Sequence, residues 1–222
     1  MMILALETSG PKFSLALLEG DKVIKSVRAS SDLLHETALA DEIKHLLSSQ
    51  DMEVHQLSAI AAGSGPGSYS GLRIGMALAS GFSFASGIPF FAAGTLENLF
   101  YQMKQMNPEA DFFLSLMPAR KKEFYLGLWR KDTLTPVISP QWTTEDGIPG
   151  MLAEISKSDC LVCNLEIHPF PTCSENVIYC HVEPDAITVG RIAHQKINSV
   201  REVHGAAIEP DYLKPVYISG TK

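Results

Sequence analysis

The chain has 222 residues, 45% of them apolar and 19% charged, with a formal net charge of -7. Such a composition supplies a sizeable core and excludes a long disordered tail, and the length suits one large domain or two lobes. With an acidic balance and no run of lysine or arginine, an autonomous nucleic-acid binder is excluded, because such a protein needs a basic surface to displace counterions from phosphates.

The opening "MMILALETSG" reads as an apolar strand, with neither a basic n-region nor a small-residue cleavage site, so a cytosolic protein is expected. Three strands are expected in the first thirty residues, "MILALET", "FSLALLEG" and "KVIKSVRAS", with "EGDK" as a hairpin turn between the last two. Leu33 to Gln50 predicts an amphipathic helix, with Leu39, Ile43, Leu46 and Leu47 at helical spacing opposite Asp41, Glu42 and Lys44. A short buried strand "LSAIAAG" follows, and then a second helix from Ser70 to Ser86, stopped by Gly87 and Pro89. "IPFFAAG" and "TLENLFYQMKQM" add a strand and a helix. The order β-β-β-α-β-α-β-α defines a mixed α/β lobe, in which parallel strands must be joined through helices.

The uncharged window Ile74 to Leu96 is long enough to raise a membrane span, but Gly87 and Pro89 break it into two pieces, each shorter than the ~20 residues a span needs. At "QMNPEAD" the pattern begins afresh, and the chain divides into lobes at 1–108 and 109–222. The second lobe reads as strands "FFLSLMPA", "KEFYLGLWR" and "TPVISPQWTT", a helical "TEDGIPGMLAEISKS", strands "DCLVCNLEI" and "NVIYCHV", and a helix "DAITVGRIAHQKINSV". The proline-restricted tail "EPDYLKPVYIS" is expected to be extended, with the last residues packing back on the first lobe.

The stretch "GSGPGSYSGLRIG", Gly63 to Gly75, lies between the fourth strand and the second helix, where backbone N–H groups can face an anion. It fits none of the specific motifs that use this device. The phosphate loop G-x-x-x-x-G-K-[ST] lacks its lysine, the dinucleotide G-x-G-x-x-G has Ser68 and Ser70 where its third glycine belongs, and the nucleophile elbow centres on Tyr69. What remains is shape: Gly65, Gly67 and Gly71 permit positive φ and close approach, and Ser68 or Ser70 can cap the helix. Arg73 in the first turn opposes the helix dipole and calls for an acidic partner, Glu7 being one candidate, or a bound anion. Glu7, Thr8, Ser9, Gly65, Gly67, Ser68, Ser70 and Arg73 are therefore the anion and loop candidates. The bland alternative is a tight strand-to-helix turn.

Within the second helix Gly71, Gly75 and Ala79 form a flat ridge, while Leu72, Ile74, Met76, Leu78, Phe82 and Phe84 cover the other directions. A helix apolar all round is expected to be buried all round. The ridge either packs within the chain, against the first helix, or makes a subunit interface from both helices, with Leu39, Ile43, Leu46, Gly71, Leu72, Gly75 and Ala79 as the partner-binding positions.

His35-Glu36 lacks the second histidine of H-E-x-x-H, since position 39 is Leu39, and no two histidines have H-x-x-x-H spacing. His35, His45 and His55 read as polar-face residues. Cys160, Cys163, Cys173 and Cys180 are clustered, and Cys160 and Cys163 make a C-x-x-C; Leu161 and Val162 read as strand interior and not as a ligand-presenting turn, so free thiols are the reading here, with a zinc site that adds His168 and His181 as the alternative, and no metal is assigned.

"ILALETS", "GSGPGSYSGLRIGMALASGFSFASGIP" and "ARKKEFY" (Ala119 to Tyr125) together resemble the TsaB family, also called YeaZ, of bacterial tRNA threonylcarbamoyladenosine synthesis. The resemblance spans most of the first lobe and thins out beyond it. It implies an actin-like, Hsp70-like ATPase fold of the ribonuclease H-like kind, two lobes of mixed sheets flanked by helices. It also implies a non-catalytic scaffold or activator subunit, with no catalytic residue, metal or cofactor of its own, although a nucleotide at a partner interface is compatible with the family. The implied partners are a TsaD-type catalytic subunit that carries the metal and transfers threonylcarbamoyl, and a TsaE-type ATPase. The first two helices make the TsaD interface in the family and also form a homodimer, and tRNA is met only through partners.

This sequence departs from the family pattern at Glu7, usually aspartate, at Pro118, where an aspartate usually precedes Ala119 and Arg120, and at "CNLE", which replaces a glycine-bearing turn. The last two weaken any nucleotide cleft in the second lobe. The rival reading is a stand-alone ATPase or phosphotransferase with Glu7, Thr8 and Ser9 at the phosphates. Such an enzyme needs a carboxylate-held magnesium and a second glycine-rich phosphate loop, and the sequence offers neither.

Overall fold

The computed structural model describes residues 1–30, 36–152, 155–165, 175–197 and 209–214. By their internal contacts Met1–Tyr101 and Glu183–Pro210 form one unit, and Gln102–Val182 with Asp211–Lys222 a second. The division expected at 108/109 thus falls at 101/102, and the second unit is interrupted by a segment that belongs to the first.

The first unit is built on β1 (Met2–Glu7), β2 (Lys12–Glu19), β3 (Lys22–Ser30), β4 (Ala59–Gly65) and β5 (Phe90–Gly94). They make one sheet in the order β3-β2-β1-β4-β5, with β1 antiparallel to β2 and parallel to β4. β1 is central, and an apolar run without polar alternation is what a strand covered on both sides requires. Leu4 and Leu6 face one cluster with Leu39, Ile43, Leu46, Leu47, Met76 and Ala79, while Ile3 and Ala5 face another with Ala186, Val189, Ile192 and Ala193. Helices α1 (Glu36–Ser48) and α2 (Tyr69–Ser86) therefore cover one side, and α5 (Ala186–Ile197) the other. Gly190 is required here, since a Cβ there would run into Leu18. α3 (Thr95–Met106) carries the chain out of this unit.

The second unit contains β6 (Phe112–Arg120), β7 (Glu123–Arg130), β8 (Pro136–Thr144), a one-turn α4 (Ile148–Met151), β9 (Cys160–Cys163) and β10 (Asn176–Tyr179). Its sheet order is β10-β9-β6-β7-β8, with β6 antiparallel to β7 and parallel to β9. Both units repeat one topology, a central first strand with two antiparallel strands on one flank and two parallel strands on the other. Leu114, Leu116, Leu126 and Leu128 pack beneath Ile148, Leu152 and Ile155. The expected return of the last residues to the first lobe concerns 215–222, which lie outside the described residues. Lys214 belongs to the second unit, where it pairs with Glu123 and lies 5.3 Å over the Trp142 ring.

The helix expected from Leu33 is described from Glu36, and positions 33–35, His35 among them, lie outside the described residues, as does Cys173. α2 ends as its sequence dictates: Gly87 adopts φ +67° and its N–H donates to the Ser83 carbonyl. No described helix is long and apolar enough to cross a membrane.

Candidate functional site

The carboxyl ends of β1 and β4 carry the loop candidates. Glu7, Thr8 and Ser9 are 0–2% exposed. The Ser9 N–H donates to Glu7 Oε1 at 2.7 Å, while Glu7 Oε2 and Ser9 Oγ are buried without a hydrogen-bond partner. Register sets Leu6 against Ala62, so Glu7 lies beside Gly63, and a Cβ at position 63 would occupy the space of the Glu7 carboxyl. Burial pushes the Glu7 carboxyl above its ordinary value of 4.5; the Ser9 hydroxyl, near enough to act on the carboxyl but outside hydrogen-bond geometry, and the N–H groups of Ser9 and Thr8 oppose that shift without overcoming it, and the Asp185 charge adds to it.

The loop then turns onto α2 through contacts that only glycine allows. Gly65, joined to Pro66 by a cis peptide bond, has φ +114°. Gly67 and Gly71 do not adopt positive φ; they are needed for close approach, since a Cβ at 67 would meet Ser9 and one at 71 the Thr8 carbonyl. A Cβ at Gly75 would strike the Thr8 side chain. The Ser68 N–H donates to the Ser9 carbonyl at 2.8 Å. Of the two cap candidates Ser68 is the cap, accepting from the Gly71 N–H at 3.3 Å, and Ser70 is exposed beside it.

Two expectations are corrected. Arg73 does not reach Glu7: it is exposed, with its guanidinium 4.5 Å from the Tyr69 ring centroid, because the first turn of α2 points it away from the sheet. The seven positions read as partner-binding, Leu39, Ile43, Leu46, Gly71, Leu72, Gly75 and Ala79, all lie in the unit's own interior, the five with side chains beyond hydrogen being 0–2% exposed. The small-residue ridge is what lets α2 sit down on Thr8 and β4, so it is used up within the chain.

What α2 leaves outward is another side. Tyr69, Arg73, Ala77, Gly81, Phe84 and Ala85 are exposed, with Ile74, Leu78 and Phe82 partly so, and Phe84 is 81% exposed. The helix is apolar all round but not buried all round. From α1 the neighbouring groups are polar: Asp41, Lys44, His45 and Ser48 are exposed. Beyond both helices, Lys44, Leu47, Ser48, Met52, Val54 and Ala85 border an open groove of about 540 Å³. Periodicity alone had marked both sides of α2 as apolar, so only the packing identifies Phe84 as an outward group.

Asp185 and Asn98 were also missed, for neither sits in a motif. Asp185 Oδ1 accepts from the Thr188 N–H at 2.7 Å at the start of α5, and Asn98 Nδ2 donates to the Asp185 carbonyl at 2.8 Å. The Ser-like capping position of an aspartate three residues before Thr188 is the one signal that pointed to it. Among the described residues no three His, Cys, Asp or Glu side chains gather as a metal site, and Cys160 and Cys163 stand at the two ends of β9.

Two units of one mixed topology, with helices on the sheet faces and a glycine loop at a strand end, define an α/β protein of the actin-like, ribonuclease H-like class. Residues 26–143 match the family model described as TsaD: tRNA N6-adenosine threonylcarbamoyltransferase, and the chain belongs to this family, on its TsaB/YeaZ branch. The tRNA threonylcarbamoyladenosine biosynthesis protein TsaB of Bacillus subtilis is 32% identical over 130 residues, 59% of this chain and 56% of that protein. The protein of the same name from Escherichia coli is 26% identical over 152 residues, 64% of each. The matched stretch thus spans between about half and two thirds of these relatives' length. Among solved structures, YeaZ from Pseudomonas aeruginosa superposes with a TM-score of 0.75 at 22% identity, covering 96% of this chain and 99% of that one. An uncharacterized Pseudomonas aeruginosa protein with similarity to peptidase YeaZ gives 0.77 at 21% identity with the same coverage.

Proposed function

We propose that this chain is a non-catalytic scaffold and activator in bacterial tRNA threonylcarbamoyladenosine synthesis, and that it docks a TsaD-type catalytic subunit through the outward side of α2 and the adjoining polar side of α1. The observation that carries the docking is Phe84, 81% exposed on a helix side of small apolar residues. Large apolar groups left in water on a regular surface mark association sites. The seven inner positions fix where that surface stands; they do not touch the partner. The pathway rests on the relatives named TsaB.

A non-catalytic role is supported by the residues at the strand ends. Glu7 is buried in a slot too tight for a ligand while the loop lies on Thr8 and Ser9. The net charge of -7 leaves RNA contact to partners in the cytoplasm, a TsaE-type ATPase among them, and any nucleotide to a partner interface. A second copy of the chain would compete for the same side of α2, giving a homodimer in the partner's absence.

The test has two stages. Depleting the protein in its own host is expected to abolish threonylcarbamoyladenosine in bulk tRNA nucleosides measured by mass spectrometry, with restoration by the wild-type gene. An unchanged level would overturn the pathway, and saturable ATP turnover by the purified chain would overturn the scaffold role. Phe84→Asp is expected to fold normally, to fail in restoring the nucleoside, and to lose co-purification with the TsaD-type subunit.

A further inference from the structure

Glu7 is the one carboxyl or amine among the described residues that is wholly buried. The slot beside Gly63 has no room for a Cβ, and within the protein it gives Oε1 the Ser9 N–H and Oε2 no hydrogen bond. Among the described residues no cation acts on it. Lys12 and Arg28 are taken up by Glu183, Arg73 lies over Tyr69, and Lys196 pairs with Glu97. β4 offers Gly63, β2 offers Ser14, and α5 begins with Asp185, whose charge acts against a second negative charge. The two residues that follow Glu7 are those on which Gly67, Gly71 and Gly75 seat α2. A neutral carboxyl fits this arrangement, whereas a carboxylate needs water on Oε2, and water can arrive only if the turn lifts.

We propose that Glu7 is a proton-dependent latch on α2: uncharged, it rests in the slot and holds the Thr8 and Ser9 turn beneath the helix, and when its proton passes to solvent the turn is released and α2 loosens. The consequence for partner docking rests on the function proposed above, because the helix that loosens is the one that carries Phe84.

The sign follows from linkage. The folded carboxyl binds its proton more tightly than an ordinary one at 4.5, so the latch is complete below that value and weakens as pH rises toward the raised one. The closed-to-open ratio falls by up to about tenfold per pH unit in that window. Amide hydrogen exchange on the full-length chain, corrected for intrinsic rates, reads this directly. Compared at about pH 5 and pH 8, residues 71–86 of the wild type are expected to be less protected at the higher pH, relative to β2, by up to about tenfold for each unit over which Glu7 titrates. Glu7→Gln is expected to hold a flat profile. Asp185→Asn keeps the cap on α5 and removes the opposing charge, so its decline should be smaller than in the wild type. A flat wild-type profile, or a Glu7→Gln decline equal to the wild type, overturns the latch. Should Glu7→Gln not fold, the wild type alone decides, and equal protection at the two pH values overturns the latch. Co-purification with the TsaD-type subunit is measured separately at both pH values. Absence of binding at both overturns the docking reading, while the exchange profile still decides the latch.

Discussion

The two units share a topology but finish the end of their central strand differently. In the first, Leu6 pairs with Ala62 and the next position sets Glu7 beside Gly63; in the second, Leu114 pairs with Cys163 and the next position sets Ser115 beside Asn164. Both Glu7 Oε2 and Ser115 Oγ are buried without partners. The neighbour makes the difference. Asn164 Oδ1 accepts from the Leu116 N–H at 2.7 Å and its Nδ2 donates to the Leu116 carbonyl at 2.9 Å, so a side-chain amide continues the ladder and seals the strand end. Gly63 contributes no side chain, and the space it leaves admits a carboxyl and, one turn further, a closely seated helix. The same fold position thus becomes a closed seam in one unit and a helix seat in the other.

Breaking the seat should cost most. Gly75→Val places branched carbons against Thr8 and is expected to destabilise the first unit by about 3 kcal/mol, read from the shift of the urea midpoint. A stability change near zero would mean that α2 is not held where the structure places it. Opening the seam comes next. Asn164→Ala leaves the Leu116 N–H and carbonyl unanswered, at about 2 kcal/mol, and the loss should appear in exchange of β6 and β9 before it appears in β1.

Phe84→Asp sharpens the contrast between inner and outer sides of α2. Being 81% exposed, Phe84 should change stability by less than about 0.5 kcal/mol while abolishing co-purification with the partner. The smallest effect concerns Tyr101, whose hydroxyl donates to Gln195 Oε1 at 2.8 Å. Burial, with the Glu97 charge, raises its phenol from 10.0 to about 12. One of the six tyrosines should therefore ionise about two pH units late in an ultraviolet titration, and its share of stability, complete below 10, should be lost as pH rises to about 12. Tyr101→Phe should remove that late step.

Much of this was readable in the residues. Strand-sized apolar runs and hairpin signals place the first three strands, and Ser68 and Gly87 bracket α2, since each of these signals is local. The orientation of α2 was not, because Gly71, Gly75 and Ala79 would serve a sheet contact and a partner contact equally well, and only the position of Thr8 decides between them. Arg73 misled for a related reason: its dipole conflict is real, but Tyr69, four residues earlier on the same side, answers it locally. Asp185 depends on a return of the chain across the whole second unit, a distance no periodicity reaches.

That return sets an order of events during synthesis. Ile3, Ala5, Ala16 and Leu18 are covered by α5, so when β1 to β5 have left the ribosome one side of their sheet still lacks its cover. At 5–20 residues per second the missing helix follows only after roughly 5–20 s. The first unit is therefore the first to be started, yet it is completed only after most of the second has been made. The intervening unit has time to fold by itself while a greasy half-sheet waits beside it, and chaperone demand for this chain should peak in that interval.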